Sequence, residues 1–67
     1  MKIILNNNDE TFDADEMTVS ELLVSKNFTF KMLVVKINEK LVPKDEYGKA
    51  LIREGDDVMV LHLISGG

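Results

Sequence analysis

The residues able to do chemistry in this chain are few, and their spacing excludes most reactions. A serine or threonine nucleophile needs a histidine base and an orienting acid, and the only histidine is His62, inside the apolar run Val58 to Ile64. It reads as a half-exposed sheet residue. There is no cysteine, which removes thiolate catalysis, a disulfide framework and cysteine-ligated zinc, and one histidine alone does not build the usual zinc site. The acidic clusters Asp9/Glu10, Asp13/Asp15/Glu16 and Glu54/Asp56/Asp57 lack calcium-loop spacing and read as solvated turn residues, so no metal site is expected. The glycines at 48, 55, 66 and 67 form no phosphate-cradling loop. No catalytic residue and no permanently bound cofactor are expected.

What remains is the end of the chain. Gly66-Gly67 follows a strongly apolar final run through Ser65. The bland readings are a frayed end or an appended scar. The chemical reading is a slender tail, residues 65–67, carried by a rigid body into another protein's active-site tunnel. Without a Cβ, glycine can be gripped on all sides and adopt conformations closed to other residues. A terminal carboxyl ordinarily titrates at about pH 3.5, so at neutral pH it is ionised and a poor electrophile. To react it must be activated, most simply as an acyl-adenylate.

The body that would carry such a tail is small. Sixty-seven residues make one domain, residues 1–67, since a fold of this size buries only about 60% of the surface its unfolded chain exposes. With 45% hydrophobic and 30% charged residues the composition is that of an ordinary globular domain. Eight basic and twelve acidic residues leave a net charge of -4, which argues against nucleic-acid binding. It leaves room for a partner with a positive docking surface. The apolar runs fall well short of the roughly 18 residues that span a bilayer, and the first residues are too short for a signal peptide. A soluble, cytoplasmic protein is expected.

The elements follow from local pattern. Ile3-Ile4-Leu5 runs into Asn6-Asn7-Asn8-Asp9, a strand and turn, and Glu10 to Ala14 alternates as a returning strand. Thr18-Val19-Ser20-Glu21 is a capping box, and Val19, Leu22 and Leu23 form the apolar stripe of a short helix ending near Lys26-Asn27. Met17 could staple to Leu22. Met32 to Asn38 is the best central strand, with Leu33, Val35 and Ile37 on one face. Asn38-Glu39-Lys40 turns into Leu41-Val42-Pro43, where proline belongs at a sheet edge or strand end. Asp45 to Gly48 reads as a single helical turn, Lys49 to Arg53 is ambiguous, and Glu54 to Asp57 is a tight turn before the last strand. The sum is an α+β fold, a mixed sheet wrapped over one main helix.

Several segments together carry a resemblance. They are Ile3-Ile4-Leu5-Asn6, Thr18-Val19-Ser20-Glu21-Leu22-Leu23, Val35 to Lys44 with its Val42-Pro43, Glu54-Gly55-Asp56 and the Gly66-Gly67 end. In this order they resemble the sulfur carriers of thiamine biosynthesis, the ThiS family, over essentially the whole chain. Leu61 and Ser65 depart from the aromatic or small residues that many members have in the last strand and before the diglycine. The resemblance implies a ubiquitin-like β-grasp fold and a non-catalytic carrier that serves other enzymes as a co-substrate. It implies that an activating enzyme of the ThiF or MoeB kind uses ATP to adenylate Gly67, and that a persulfide sulfur donor converts the adenylate to a thiocarboxylate. Thiazole synthase, of the ThiG kind, would receive the sulfur. Ser65 and Gly66 would be the lead-in to the partner's active site. Alternatives are a thiocarboxylate carrier for molybdopterin or another pathway, and a ubiquitin-like modifier or binding module.

Parity in the last strand marks a docking face independently of that resemblance. If Val58 and Val60, with His62, face the helix, then Met59, Leu61 and Leu63 face outward. Ile4 joins them if the first and last strands are neighbours. A contiguous apolar patch beside the tail would be a partner surface.

Overall fold

The computed structural model describes residues 1–28 and 32–62. Strand β1 (Lys2–Leu5) and β2 (Asn8–Thr11) form an antiparallel hairpin. The returning strand begins two residues earlier than the alternation of Glu10 to Ala14 suggests. The reason is the turn: Asn6 and Asn7 both take left-handed backbone, φ 50 and 68, so two residues suffice to reverse the chain. Phe12 lies past the end of β2 and packs against the core.

Strand β3 (Glu16–Thr18) leads into helix α1 (Val19–Ser25). The capping box is formed, Thr18 Oγ1 accepting from Glu21 N–H at 3.1 Å and Glu21 Oε1 accepting from Thr18 N–H at 2.8 Å. The next orphan donors are met from across the chain: Val19 N–H reaches the Ala50 carbonyl and Ser20 N–H the Tyr47 carbonyl. At the other end Asn27, φ 57, accepts the left-handed position, with Phe28 N–H on the Leu23 carbonyl and Asn27 N–H on that of Val24. That pair of bonds is a Schellman cap.

Strand β4 (Leu33–Ile37) turns through Asn38 and Glu39, both left-handed, into β5 (Lys40–Val42). Pro43 follows β5 and precedes one 3₁₀ turn at Lys44–Glu46, one residue earlier than expected. The ambiguous segment contains β6 (Leu51–Arg53), which pairs antiparallel with β3 in a separate two-stranded sheet. Neither strand of that pair is legible alone, because each has three residues and is defined only by the other. A turn closed by Gly55, φ 83, enters β7 (Asp57–His62).

The main sheet has the order β2-β1-β7-β4-β5, with β1 and β7 parallel and the other neighbours antiparallel. This is the mixed sheet expected, with both ends of the described chain at its centre. Its edges are short, and β2 carries Asp9 and Glu10 while β5 ends at proline, features that discourage edge-to-edge pairing. One core lies between sheet and helix: Ile3, Leu5, Val35, Val42, Val58 and Val60 from the main sheet, Val19 and Leu22 from α1, and Ile52 from β6. Each such side chain contributes about 1.5–3 kcal/mol on burial. Leu23, Leu33, Ile37 and Met17 pack around this cluster, as their positions in the stripe and strand require.

Candidate functional site

The face of the main sheet turned away from α1 is built by alternation. Burial of Ile3 and Leu5 in β1 turns Ile4 outward, and burial of Val58 and Val60 in β7 turns Met59 and Leu61 outward. Ile4 and Leu61 are each 41% exposed and Met59 is half-buried. The strands are direct neighbours, Ile4 standing opposite Asp57 and Leu5 opposite Val58, so Ile4 lies diagonally from Met59 on the same face. His62 has the parity of Val58 and Val60, yet it stands at the end of β7 opposite Leu33 and is exposed. Burial by parity along β7 therefore ends at Val60.

Two further apolar residues belong to this face. Val34 stands opposite Leu61 and Lys36 opposite Met59 across the β4–β7 ladder, and Leu41 stands opposite Lys36 in β5. Leu41 is 63% exposed. Sequence parity assigns Val34 to the face opposite Val35, but only the strand order makes it a neighbour of Leu61. The result is an apolar band, Ile4, Met59, Leu61 and Val34, continued by Leu41 across the Lys36 side chain. At one border Lys2 and Asp9 form an exposed ion pair at 3.7 Å. Such a pair on the rim contributes little energy but sets charge pattern.

The remaining residues expected at the site, Leu63, Ser65, Gly66 and Gly67, lie outside the described residues. In sequence they follow directly on β7, the central strand whose outward residues form half of the band. Among the described residues no three acidic or histidine side chains gather as metal ligands. No helix among them is long and apolar enough to cross a membrane. The arrangement is an apolar platform on the outer face of the sheet, and in sequence β7 runs on to Gly66-Gly67.

Comparison with known proteins places this geometry in a family. The family model described as "ThiS family" matches residues 2–67. A sulfur carrier protein ThiS of Bacillus subtilis is 27% identical over 63 residues, covering 94% of this chain and 96% of its own length. A thiazole synthase of Paramagnetospirillum magneticum is 31% identical over 67 residues, all of this chain but only 20% of that protein, so the chain spans about a fifth of that relative's length. The crystal structure of a thiamine biosynthesis protein (ThiS) from Geobacter metallireducens superposes with a TM-score of 0.90 at 25% identity, each chain covered in full. The mixed sheet over one helix is thus the β-grasp fold of that protein. With the family match running from Lys2 to the diglycine and the fold agreeing along its whole length, this chain belongs to the ThiS family.

Proposed function

We propose that this chain is a sulfur carrier of thiamine biosynthesis that holds its cargo on the α-carboxyl of Gly67 and takes part in the chemistry as a protein co-substrate. The observation that carries the reading is the family match over residues 2–67, which includes the terminal Gly66-Gly67. A carboxylate reacts with a sulfur nucleophile only after an oxygen has been made a leaving group. A ThiF- or MoeB-like activating enzyme would transfer AMP from ATP to the Gly67 carboxylate, releasing pyrophosphate. The terminal sulfur of a persulfide then displaces AMP, and cleavage of the resulting S–S bond by a thiol leaves a thiocarboxylate. The chain's own contribution is positional: Ser65 and Gly66 supply a thin lead-in, and Ile4, Met59, Leu61 and Leu63 supply the docking face, with Val34 and Leu41 added to it. ATP is used by the partner and needs no site on this chain. The need for ATP and for thiols suits the cytoplasm.

Thiazole synthase is the proposed acceptor. A sequence like this whole chain forms 20% of a thiazole synthase in P. magneticum. Joining carrier and acceptor in one chain raises the effective concentration of one at the other, an advantage only for partners that meet.

The test is intact-mass measurement after incubation with ATP, an activating enzyme and a persulfide donor. A shift equal to exchange of one oxygen for sulfur is the expected result. A branched adduct on lysine would instead make the chain a modifier, and no change with any activating enzyme would make it a binding module.

A further inference from the structure

Where β1 leaves the sheet, a side chain takes over the work of the backbone. The parallel β1–β7 ladder runs from Ile4 N–H to the Asp56 carbonyl and from Asn6 N–H to the Val58 carbonyl, both at 2.9 Å. The next donor along β7 on this side is Val60 N–H. A continued β1 would meet it with a carbonyl, but the chain reverses at Asn6-Asn7. Asn6 Oδ1 accepts from Val60 N–H instead, at 2.8 Å and across 54 positions of sequence. The backbone carbonyl of Asn6 is occupied by the Asn8 side-chain amide at 3.2 Å. The position therefore makes two demands: a left-handed backbone, φ 50, and a side-chain acceptor of the right reach. Asparagine meets both, whereas glycine meets only the first.

This bond sits two residues before the end of β7 at His62, on the flank that β1 has just left, while β4 holds the other flank as far as Leu33 opposite His62. We infer that Asn6 is a positioning residue for sulfur loading: its side-chain oxygen clamps β7 at Val60 and so holds in place the end of the strand that Gly67 follows in sequence. The inference rests on the proposed role of Gly67. Asn6 acts through β7, so its loss lowers the fraction of carriers poised to dock without altering the chemistry once docked. One neutral hydrogen bond shifts a local equilibrium by about fivefold. Apparent affinity falls by the fraction lost from the competent state.

The experiment compares the unmodified protein with Asn6→Gly, Asn6→Asp and Asn7→Gly, following pyrophosphate release by the activating enzyme and amide hydrogen exchange by NMR. Asn6→Gly keeps the left-handed turn and removes the acceptor. It is expected to speed exchange at Val60 and to raise the KM for the carrier by about two- to tenfold with kcat unchanged. Asn6→Asp retains an oxygen at the same reach and should restore both readings toward those of the unmodified protein. Asn7→Gly alters the same turn without touching the clamp and should change neither. A KM for Asn6→Gly equal to that of the unmodified protein, or a fall confined to kcat, would overturn the inference. Should Asn6→Gly not fold, the unmodified protein still decides: a Val60 amide exchanging as fast as an exposed loop amide overturns the clamp. Absence of pyrophosphate release from the unmodified carrier would overturn the Gly67 reading, and this inference with it. Normal release with an unaffected Asn6→Gly overturns this inference alone.

Discussion

At the scale of single residues, the two asparagine turns carry different amounts of strain. Asn6 and Asn7 both tolerate left-handed backbone, but in the β4–β5 turn the second such position is Glu39, φ 70. A glutamate there lacks the local hydrogen bonding that makes asparagine tolerable, and glycine is the favoured residue at that position of a two-residue hairpin turn. Glu39→Gly should raise stability by about 0.5–1 kcal/mol, read as a higher midpoint in urea denaturation. An unchanged or lower midpoint would show that the turn is not strained. Thr18 is the opposite case, since its hydroxyl serves the Glu21 amide at the helix start. Thr18→Ala should cost about 1 kcal/mol, which for a domain this small lowers Tm by about 4–8 °C. The turns, the cap and the left-handed Asn27 were all legible because each is decided within four residues. The clamp from Asn6 to Val60 was not, because no local pattern links positions 54 apart.

At the scale of elements, the apolar stripe of α1 and the long strands could be read from period alone. Val19 and Leu22 are fully buried, and Val35, Val58 and Val60 all face the helix. Leu22→Ala should therefore cost about 2–5 kcal/mol, measured by chemical denaturation, since it empties the centre of the only core cluster among the described residues. A cost below about 1 kcal/mol would contradict the packing. The β3–β6 pair has no signature in the sequence because three residues show no period, and its existence depends on Leu51, Ile52 and Arg53 finding Glu16, Met17 and Thr18. The apolar outer face, proposed for docking, was half legible for the same reason. Parity separates Met59 and Leu61 from Val58 and Val60, but Val34 and Leu41 join them only through strand order. Leu61→Asp and Ile4→Asp, at sites 41% exposed, should each alter stability by less than about 0.5 kcal/mol. Each should weaken binding to the activating enzyme by at least about tenfold, read by calorimetric titration. Equal affinity for both variants and the unmodified chain would move the docking face elsewhere.

At the scale of the whole molecule, the proposed function divides the work between a scaffold and an end. Among the described residues, nine buried aliphatic side chains form the core and the sheet carries an apolar outer face, on a chain of net charge -4. The sequence could point to a carrier because it has no cysteine, one histidine and acidic clusters without ligand spacing, which left the diglycine as the chemically distinctive feature. Partners were legible only through the family resemblance, because the apolar outer face is assembled from four separate strands. The central claim is that sulfur is held by the carboxyl of Gly67, and fragmentation mass spectrometry of the C-terminal peptide from carrier charged with ATP, activating enzyme and persulfide tests it most directly. Sulfur in place of one oxygen on Gly67, and none on a chain lacking that residue, is the predicted result; an unmodified C-terminal peptide, or sulfur donation by the shortened chain, would contradict it.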